Sequence, residues 1–162
     1  MQLGEGVEWA LHSCVLLACV PGGRALPASR LAEYHGLPAA YLAKHLQQLS
    51  GARILESTKG RVGGYRLARP ANEITLLDVV EAIEGSAPVF RCTEIRRRGP
   101  CAGTPGAYPT MCGVACAMER AEAAWRSELR SQTVADLVAS TVMGAPQPVQ
   151  VRSEEWLAEA TR

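Results

Sequence analysis

The chain of 162 residues is long enough for one domain with an added element, and it lacks both a signal-peptide pattern and the ~20-residue apolar run of a membrane span, so we expect a cytoplasmic protein. Apolar residues make up 48% and aromatic residues only 5%, which favours a core of Ala, Leu and Val in helices over an all-β sandwich. The net charge of +1 divides into +4 for residues 1–70 and −3 for the rest, as expected of a small DNA-binding regulator.

The first part of the chain predicts three helices. Apolar residues recur at helical spacing over residues 6–20, which predicts the first helix. The second is predicted from Ala28 to His35 and ends at Gly36, and the third begins at Pro38. Two short helices joined by a turn that contains glycine indicate a helix-turn-helix. The apolar face of the third helix consists of three leucines: Leu42, Leu46 and Leu49.

Residues 54–68 change from helical spacing to alternation. The segment predicts a β-hairpin whose tip is rich in glycine and carries Lys59 and Arg61. A hairpin directly after a helix-turn-helix indicates a winged helix. We therefore predict a mostly α fold with a small β-hairpin wing.

Thr75 and Asp78 form a predicted capping box for a helix over residues 76–84. Residues 86–111 are rich in glycine and proline and are predicted to form an irregular loop. A long helix begins near Cys112, and a second capping box at Thr133 and Asp136 restarts it. Five residues form its apolar stripe: Val114, Met118, Ala121, Trp125 and Leu129.

The C-terminal residues are predicted to contain a linker, Gly144 to Pro148, and a short helix, Glu154 to Ala160. The expected organisation has five parts: a winged helix-turn-helix DNA-binding domain (1–70), a connecting helix (71–85), a cysteine-containing cluster loop (86–111), a dimerisation helix (112–142) and a C-terminal tail (143–162).

Four of the six cysteines lie within 25 residues, at Cys92, Cys101, Cys112 and Cys116. In a reducing compartment such clustering indicates a metal or redox site more than a disulfide framework. Cys14 lies in an apolar stretch and is predicted to be a small core residue.

Three segments together resemble a known family: Leu37–Leu42 with its following leucines, the wing residues Lys59–Leu67, and Ile74–Val80. They resemble the Rrf-two (Rrf2) family of winged-helix transcription regulators, which includes IscR, NsrR and RsrR. The likeness covers about residues 1–142. It implies a homodimer that binds DNA, a long helix that makes the dimer, and in many members an iron–sulfur cluster in the cysteine loop.

The start of the first helix, residues 6–12, is most similar to the RsrR branch, whose members use a 2Fe–2S cluster bound by two cysteines, one histidine and one glutamate. Glu8 and His12 are four residues apart and share one face of a helix, and so do Cys112 and Cys116. These four residues are the predicted ligands. The cysteine spacing is wider than in IscR-like and NsrR-like proteins, so Cys92 and Cys101 remain alternative ligands.

Other sites and functions remain open from the residues. Three cysteines and Glu8 could hold a 4Fe–4S cluster, and clustered Cys with His could bind zinc in a structural or interaction module. The loop cysteines could also act as thiol switches in a regulator without a cluster. We see no catalytic grouping or cofactor fingerprint and do not expect an enzyme.

The third helix is predicted to enter the major groove of an inverted-repeat DNA site, and the wing to contact phosphates or the adjacent minor groove. The predicted function is a transcription regulator, expected to be a repressor, whose 2Fe–2S redox state controls binding to promoter DNA. Six residues are the predicted DNA contacts: Tyr41, Lys44, His45 and Gln48 on the helix, and Lys59 and Arg61 on the wing.

Overall fold

The computed structural model describes residues 3–60, 63–104, 106–142 and 144–161. The chain forms two compact units, one of residues 87–128 and one of residues 3–86 with 129–161. Within the described residues, no helix is both long and apolar enough to cross a membrane. The elements are α1 (Glu5–Ala18), α2 (Ala28–His35), α3 (Ala39–Gly51), β1 (Leu55–Thr58), β2 (Gly64–Leu67), α4 (Leu76–Glu84), α5 (Gly113–Ser131), α6 (Val134–Leu137) and α7 (Gln147–Ala160).

The three N-terminal helices form the predicted helix-turn-helix. All three leucines of the α3 stripe are fully buried, together with Ala10 and Cys14 of α1. Gly36 ends α2 with a φ of 65°, a left-handed conformation that suits glycine. The apolar spacing in the sequence therefore predicted both the helices and the face that each one buries.

The wing is the predicted antiparallel hairpin, with Leu55 opposite Leu67 and Thr58 opposite Gly64. Tyr65 also pairs with Leu26, in the segment before α2. A Cβ atom on Gly64 would lie 2.2 Å from the Leu26 carbonyl oxygen, so a side chain there would push the wing away from this segment. The fold is the predicted mostly helical winged helix.

Both predicted capping boxes are present. The Thr75 hydroxyl accepts the Asp78 N–H at 3.1 Å, and the Asp78 carboxylate accepts the Thr75 N–H at 3.0 Å. Thr133 and Asp136 repeat this arrangement at the start of α6. The two caps also pair with each other through an isolated bridge between Thr75 and Thr133, which joins α6 to the start of α4.

The predicted dimerisation helix is not continuous. It ends at Ser131, restarts at Val134 as the four-residue α6, and continues as a π-helical turn over Val138–Val142. The second capping box predicted this restart, because a Thr side chain that bonds to the backbone ahead of it begins a helix and does not continue one.

The C-terminal residues are more structured than predicted. α7 is a helix of 14 residues that begins at Gln147, seven residues before the expected start, so Gln147 and Pro148 belong to a helix and not to a linker. Leu157 is buried in the core of the winged module. Arg24 donates hydrogen bonds to both the carbonyl and the hydroxyl of Thr161, at 2.7 and 3.0 Å. Residues 147–161 are therefore packed against the winged module, and the C-terminal part is more ordered than its sequence predicted.

Candidate functional site

The outward face of α3 carries two of the predicted DNA contacts. Tyr41 is 68% exposed, and Lys44 is exposed one turn further along. Ala40 is exposed beside them and adds no bulk. An exposed face with a cation, a phenol and small groups can lie against a DNA groove, because nothing on it blocks the approach of the phosphates.

His45 and Gln48 are less exposed than the sequence predicted. Both are half-buried, and His45 Nδ1 lies 3.0 Å from Gln48 Oε1. Gln48 also donates to the Ile83 carbonyl of α4 at 3.4 Å, and the His45 ring meets the edge of Trp9 at 5.9 Å. A Cβ atom on Gly6 would lie only 2.5 Å from the His45 ring. In this structure the two side chains therefore hold α3 against α1 and α4.

Gln47 is a surface residue of α3 that the sequence analysis missed. It is exposed, and it lies one turn after Lys44 on the outward face. A helical projection at 100° per residue could have found it, because Gln47 lies about 130° from the leucine stripe whereas His45 lies only about 60° from the stripe.

The wing presents a second cationic surface. Lys59 is exposed at the end of β1, whereas Arg61 lies outside the described residues. Arg66 pairs with Glu56 across the two strands at 3.0 Å, so its charge is partly compensated within the wing. Among the described wing residues, Lys59 is thus the better placed to meet a phosphate.

Glu8 and His12 are exposed on successive turns of α1. They line a cleft of about 440 Å³ whose other walls include Leu11, Leu137 and Thr141. A carboxylate and an imidazole at the rim of an open cleft can both donate electron pairs to a group that enters it. Trp9, between them in sequence, is half-buried and packs against the core.

Cys112 directly precedes α5, and Cys116 follows one turn later; both are half-buried. Hydrogen bonds from the backbone N–H groups of Ala115 and then Val114 lower the pKa of the Cys112 thiol below its ordinary value, and the charge of Arg96 acts in the same direction. The start of α5 therefore favours the thiolate, which is the form that binds metal.

Arg96 organises the loop beside Cys112, a role that no sequence pattern indicated. Its guanidinium donates to both carboxylate oxygens of Glu94, at 2.5 and 2.8 Å, and lies over the Tyr108 ring with 4.5 Å to the centroid. The Glu94 N–H in turn donates to Cys92 Sγ at 3.4 Å. No local sequence signal identifies this cluster, because its members are spread over residues 92–112.

The remaining cysteines divide by burial. Cys92 and Cys101 are exposed in the loop. Burial raises the pKa of Cys14 to about 12 and also raises the pKa of Cys19. In the described part of a single chain, no three His, Cys, Asp or Glu side chains converge as a metal site would require.

Comparison with known proteins identifies the family. Residues 3–140 match the Rrf2 family, described as an iron-dependent transcriptional regulator. The chain belongs to the Rrf2 family. It is therefore similar to DNA-binding transcription regulators, and the resemblance seen in the winged-helix segments is confirmed at the level of the family.

Individual relatives agree with this assignment. Protein aau3 of Rhizobium meliloti is 32% identical over 157 residues, which cover 93% of this chain and 96% of that protein. A protein of Mycobacterium tuberculosis described as an HTH-type transcriptional regulator, Rv1287, is 29% identical over 166 residues, which cover 100% of this chain and 95% of the relative.

Solved structures share the Rrf2 fold. The global cysteine regulator CymR of B. subtilis superposes with a TM-score of 0.69 at 22% identity and covers 87% of this chain and 98% of its own. IscR of T. potens superposes with a TM-score of 0.67 at 18% identity and covers 92% of this chain and 96% of its own.

Proposed function

We propose that this Rrf2 regulator binds a 2Fe–2S cluster through Glu8, His12, Cys112 and Cys116, as in the RsrR branch, and that the redox state of the cluster controls its binding to promoter DNA. The observation that carries the proposal is the placement of Cys112 at the start of α5 with Cys116 one turn away. The backbone N–H groups at this helix start also favour the Cys112 thiolate. The family description as iron-dependent supports the same metal.

The donor chemistry fits the cluster. Two cysteine thiols one helical turn apart suit one iron, and the exposed carboxylate and imidazole of α1 suit the other. When bound, such a cluster supplies a one-electron redox change. His12 connects the site to DNA binding, because it lies on α1, which packs against the recognition helix α3 and meets it through Trp9 and His45.

We further propose a homodimer. Residues 87–128 bury only Ala115 among the described positions, whereas Val114 and Met118 of the predicted stripe are exposed. Covering this stripe with the same stripe of a second chain buries both. Two recognition helices related by a two-fold axis would then read an inverted repeat, with half-sites about one helical turn, ~34 Å, apart.

In this dimer we expect each cluster to join two chains. Glu8 and His12 would come from one subunit, and Cys112 and Cys116 from its partner. Such a site makes the position of one DNA-binding module depend on the other.

A regulator without a cluster, in which the loop thiols act as a switch, is the second candidate. Cys92 and Cys101 are exposed, and the Cys112 thiolate is favoured beside Arg96 without any metal. A zinc-binding module is distinguished from both by its metal.

Purification without oxygen, followed by iron, sulfide and zinc analysis and a visible spectrum, tests these candidates. We expect a coloured protein with about two iron and two sulfide ions per chain. Cys112→Ala and Cys116→Ala should each abolish the colour, and Cys14→Ala should leave it intact because Cys14 is buried in the core. Zinc instead of iron, or a colourless protein with full thiol reactivity, would overturn the cluster.

Mixed dimers test the shared geometry. One chain carries Glu8→Ala with His12→Ala, and the other carries Cys112→Ala with Cys116→Ala. If each cluster joins two chains, the mixed dimer keeps one complete site and half of the colour. If each chain binds its own cluster, both sites are broken and the colour is lost.

A further inference from the structure

A second cavity, of about 420 Å³, opens between α1, α2 and α7. Its walls are mainly apolar, and its volume lies in the range of small-molecule sites. Apolar lining residues come from three parts of the chain: Val15 and Leu16 from α1, Val142 from the π-helical turn, and Val149 and Leu157 from α7.

α7 forms one wall of this cavity and lies outside the family match, which ends at residue 140. It is anchored to the helix-turn-helix by three contacts. The Tyr34 hydroxyl donates to Ser153 Oγ at 2.8 Å, the Tyr34 and Trp156 rings meet edge to face at 4.9 Å, and Arg30 lies over Trp156 with 4.8 Å to the ring centroid. These contacts fix the position of α7 beside the open cavity.

The polar groups of the cavity favour a hydrogen-bond donor. His35 Nε2 is buried without a partner among the described residues, and the N–H of a ligand can donate to it. Glu154 lines the same cavity and adds negative charge, which favours donors and cations and disfavours anions.

We propose that this cavity is an effector site for a small apolar molecule that carries an N–H or amine donor, such as an aromatic amine. Tyr34 and His35 belong to α2, the first helix of the helix-turn-helix, and α2 packs against the recognition helix α3. A ligand that wedges between α7 and α2 therefore acts on the element that positions α3, and DNA affinity reports its binding.

Binding of N-phenyl-1-naphthylamine to the full chain tests the cavity, because this probe is apolar, carries one N–H and fluoresces in apolar surroundings. We expect saturable binding of one probe per chain. Val149→Trp fills the cavity and should weaken binding at least tenfold. Val151→Trp, two residues away on the same helix and outside the lining, is the matched control and should bind as the unaltered chain does.

Two ligands that compete with the probe test whether the cavity prefers a hydrogen-bond donor. Diphenylamine and diphenylmethane have nearly the same shape, and only the amine donates a hydrogen bond. We expect the amine to displace the probe about threefold to tenfold better, as one hydrogen bond provides, and His35→Phe to remove the difference. Equal displacement in the unaltered chain, or equal losses for Val149→Trp and Val151→Trp, would overturn the assignment.

The affinity for duplex DNA tests whether ligand binding in the cavity regulates the protein. Probe binding should change the DNA affinity of the unaltered chain and of Val151→Trp, but not that of Val149→Trp. Saturable binding with unchanged DNA affinity would overturn the effector role. Iron content should be the same in Val149→Trp and Val151→Trp, which replace no proposed cluster ligand, so failure here is distinguishable from failure of the cluster proposal. His35→Phe is left out of this comparison because the His35 ring packs against His12.

Discussion

The two compact units differ in how they bury apolar residues. The winged module, residues 3–86 with 129–161, contains a continuous core to which α1, α3, α4, α6 and α7 all contribute. Residues 87–128 bury only Ala115 among the described positions. Their exposed apolar side chains are Val89, Ile95, Met111, Val114 and Met118.

The two units therefore differ in which contacts stabilise them. The winged module excludes water from its own apolar residues, so its structure is encoded within the chain. Residues 87–128 have the residue types for burial but lack enough of their own chain to cover them. We therefore expect their stability to depend on what binds them, in keeping with the proposal that this segment holds a cluster and a second subunit.

Thiol alkylation should show the largest contrast between the two units. In cluster-free protein at pH 8, a pKa of about 12 leaves about one in 10,000 Cys14 side chains as thiolate. A larger share of Cys112 is thiolate than of an ordinary cysteine, because its pKa lies below the ordinary value. Iodoacetamide should therefore modify Cys112 at least ~1,000-fold faster, and the rate should rise with pH to a midpoint below that of a free thiol.

Peptide mapping by mass spectrometry measures both rates. Cys112→Ser is the control that should remove the fast phase. Modification of Cys14 at a comparable rate in the native state would contradict the buried core.

Truncation of the α3 stripe tests whether the winged module is self-sufficient. Leu46→Ala removes a fully buried side chain and should lower the free energy of unfolding by about 3 kcal/mol in urea titrations. Val89→Ala, at an exposed apolar position of the other unit, should change it by less than about 0.5 kcal/mol. Equal costs would mean that residues 87–128 have a core of their own.

Charges on the α5 stripe test whether a second chain covers it. Val114→Asp with Met118→Asp should raise the dimer dissociation constant at least tenfold, measured by sedimentation or light scattering, because two carboxylates would be buried without partners. The helical content should stay unchanged, since both positions are exposed within one chain. Ala123→Asp, opposite the stripe, is the control, and a monomeric unaltered chain at micromolar concentration would overturn the dimer.

Salt dependence of DNA binding is the smallest expected effect. Lys44→Ala and Lys59→Ala should each lower the slope of log affinity against log salt by about 1 per protomer, because each lysine displaces one counterion. Gln48→Ala should leave this slope unchanged and lower stability instead, since its side chain bonds within the protein. If Gln48→Ala instead weakens DNA binding and leaves stability unchanged, Gln48 contacts DNA as the sequence predicted.

Local signals predicted the winged module well. The leucine spacing of α3, the glycine after α2 and the two Thr–Asp capping boxes each act within a few residues, and all of them appear in the structure. The pairing of Glu8 with His12 and of Cys112 with Cys116 is also local, because residues four apart share a helix face. What these pairs bind stays a prediction.

The sequence by itself determined the elements of this protein, its winged helix-turn-helix and the clustering of its cysteines, because helix periodicity, caps and turns depend on neighbours in the chain. Only the tertiary structure decided that His45 and Gln48 are half-buried against neighbouring helices, that Arg96 lies beside Cys112, and that α7 packs against α2 and lines a cavity. Gln48 and Ile83, which share a hydrogen bond, are 35 positions apart, and Tyr34 and Ser153 are 119 positions apart. No local pattern in the sequence encodes contacts between residues so far apart.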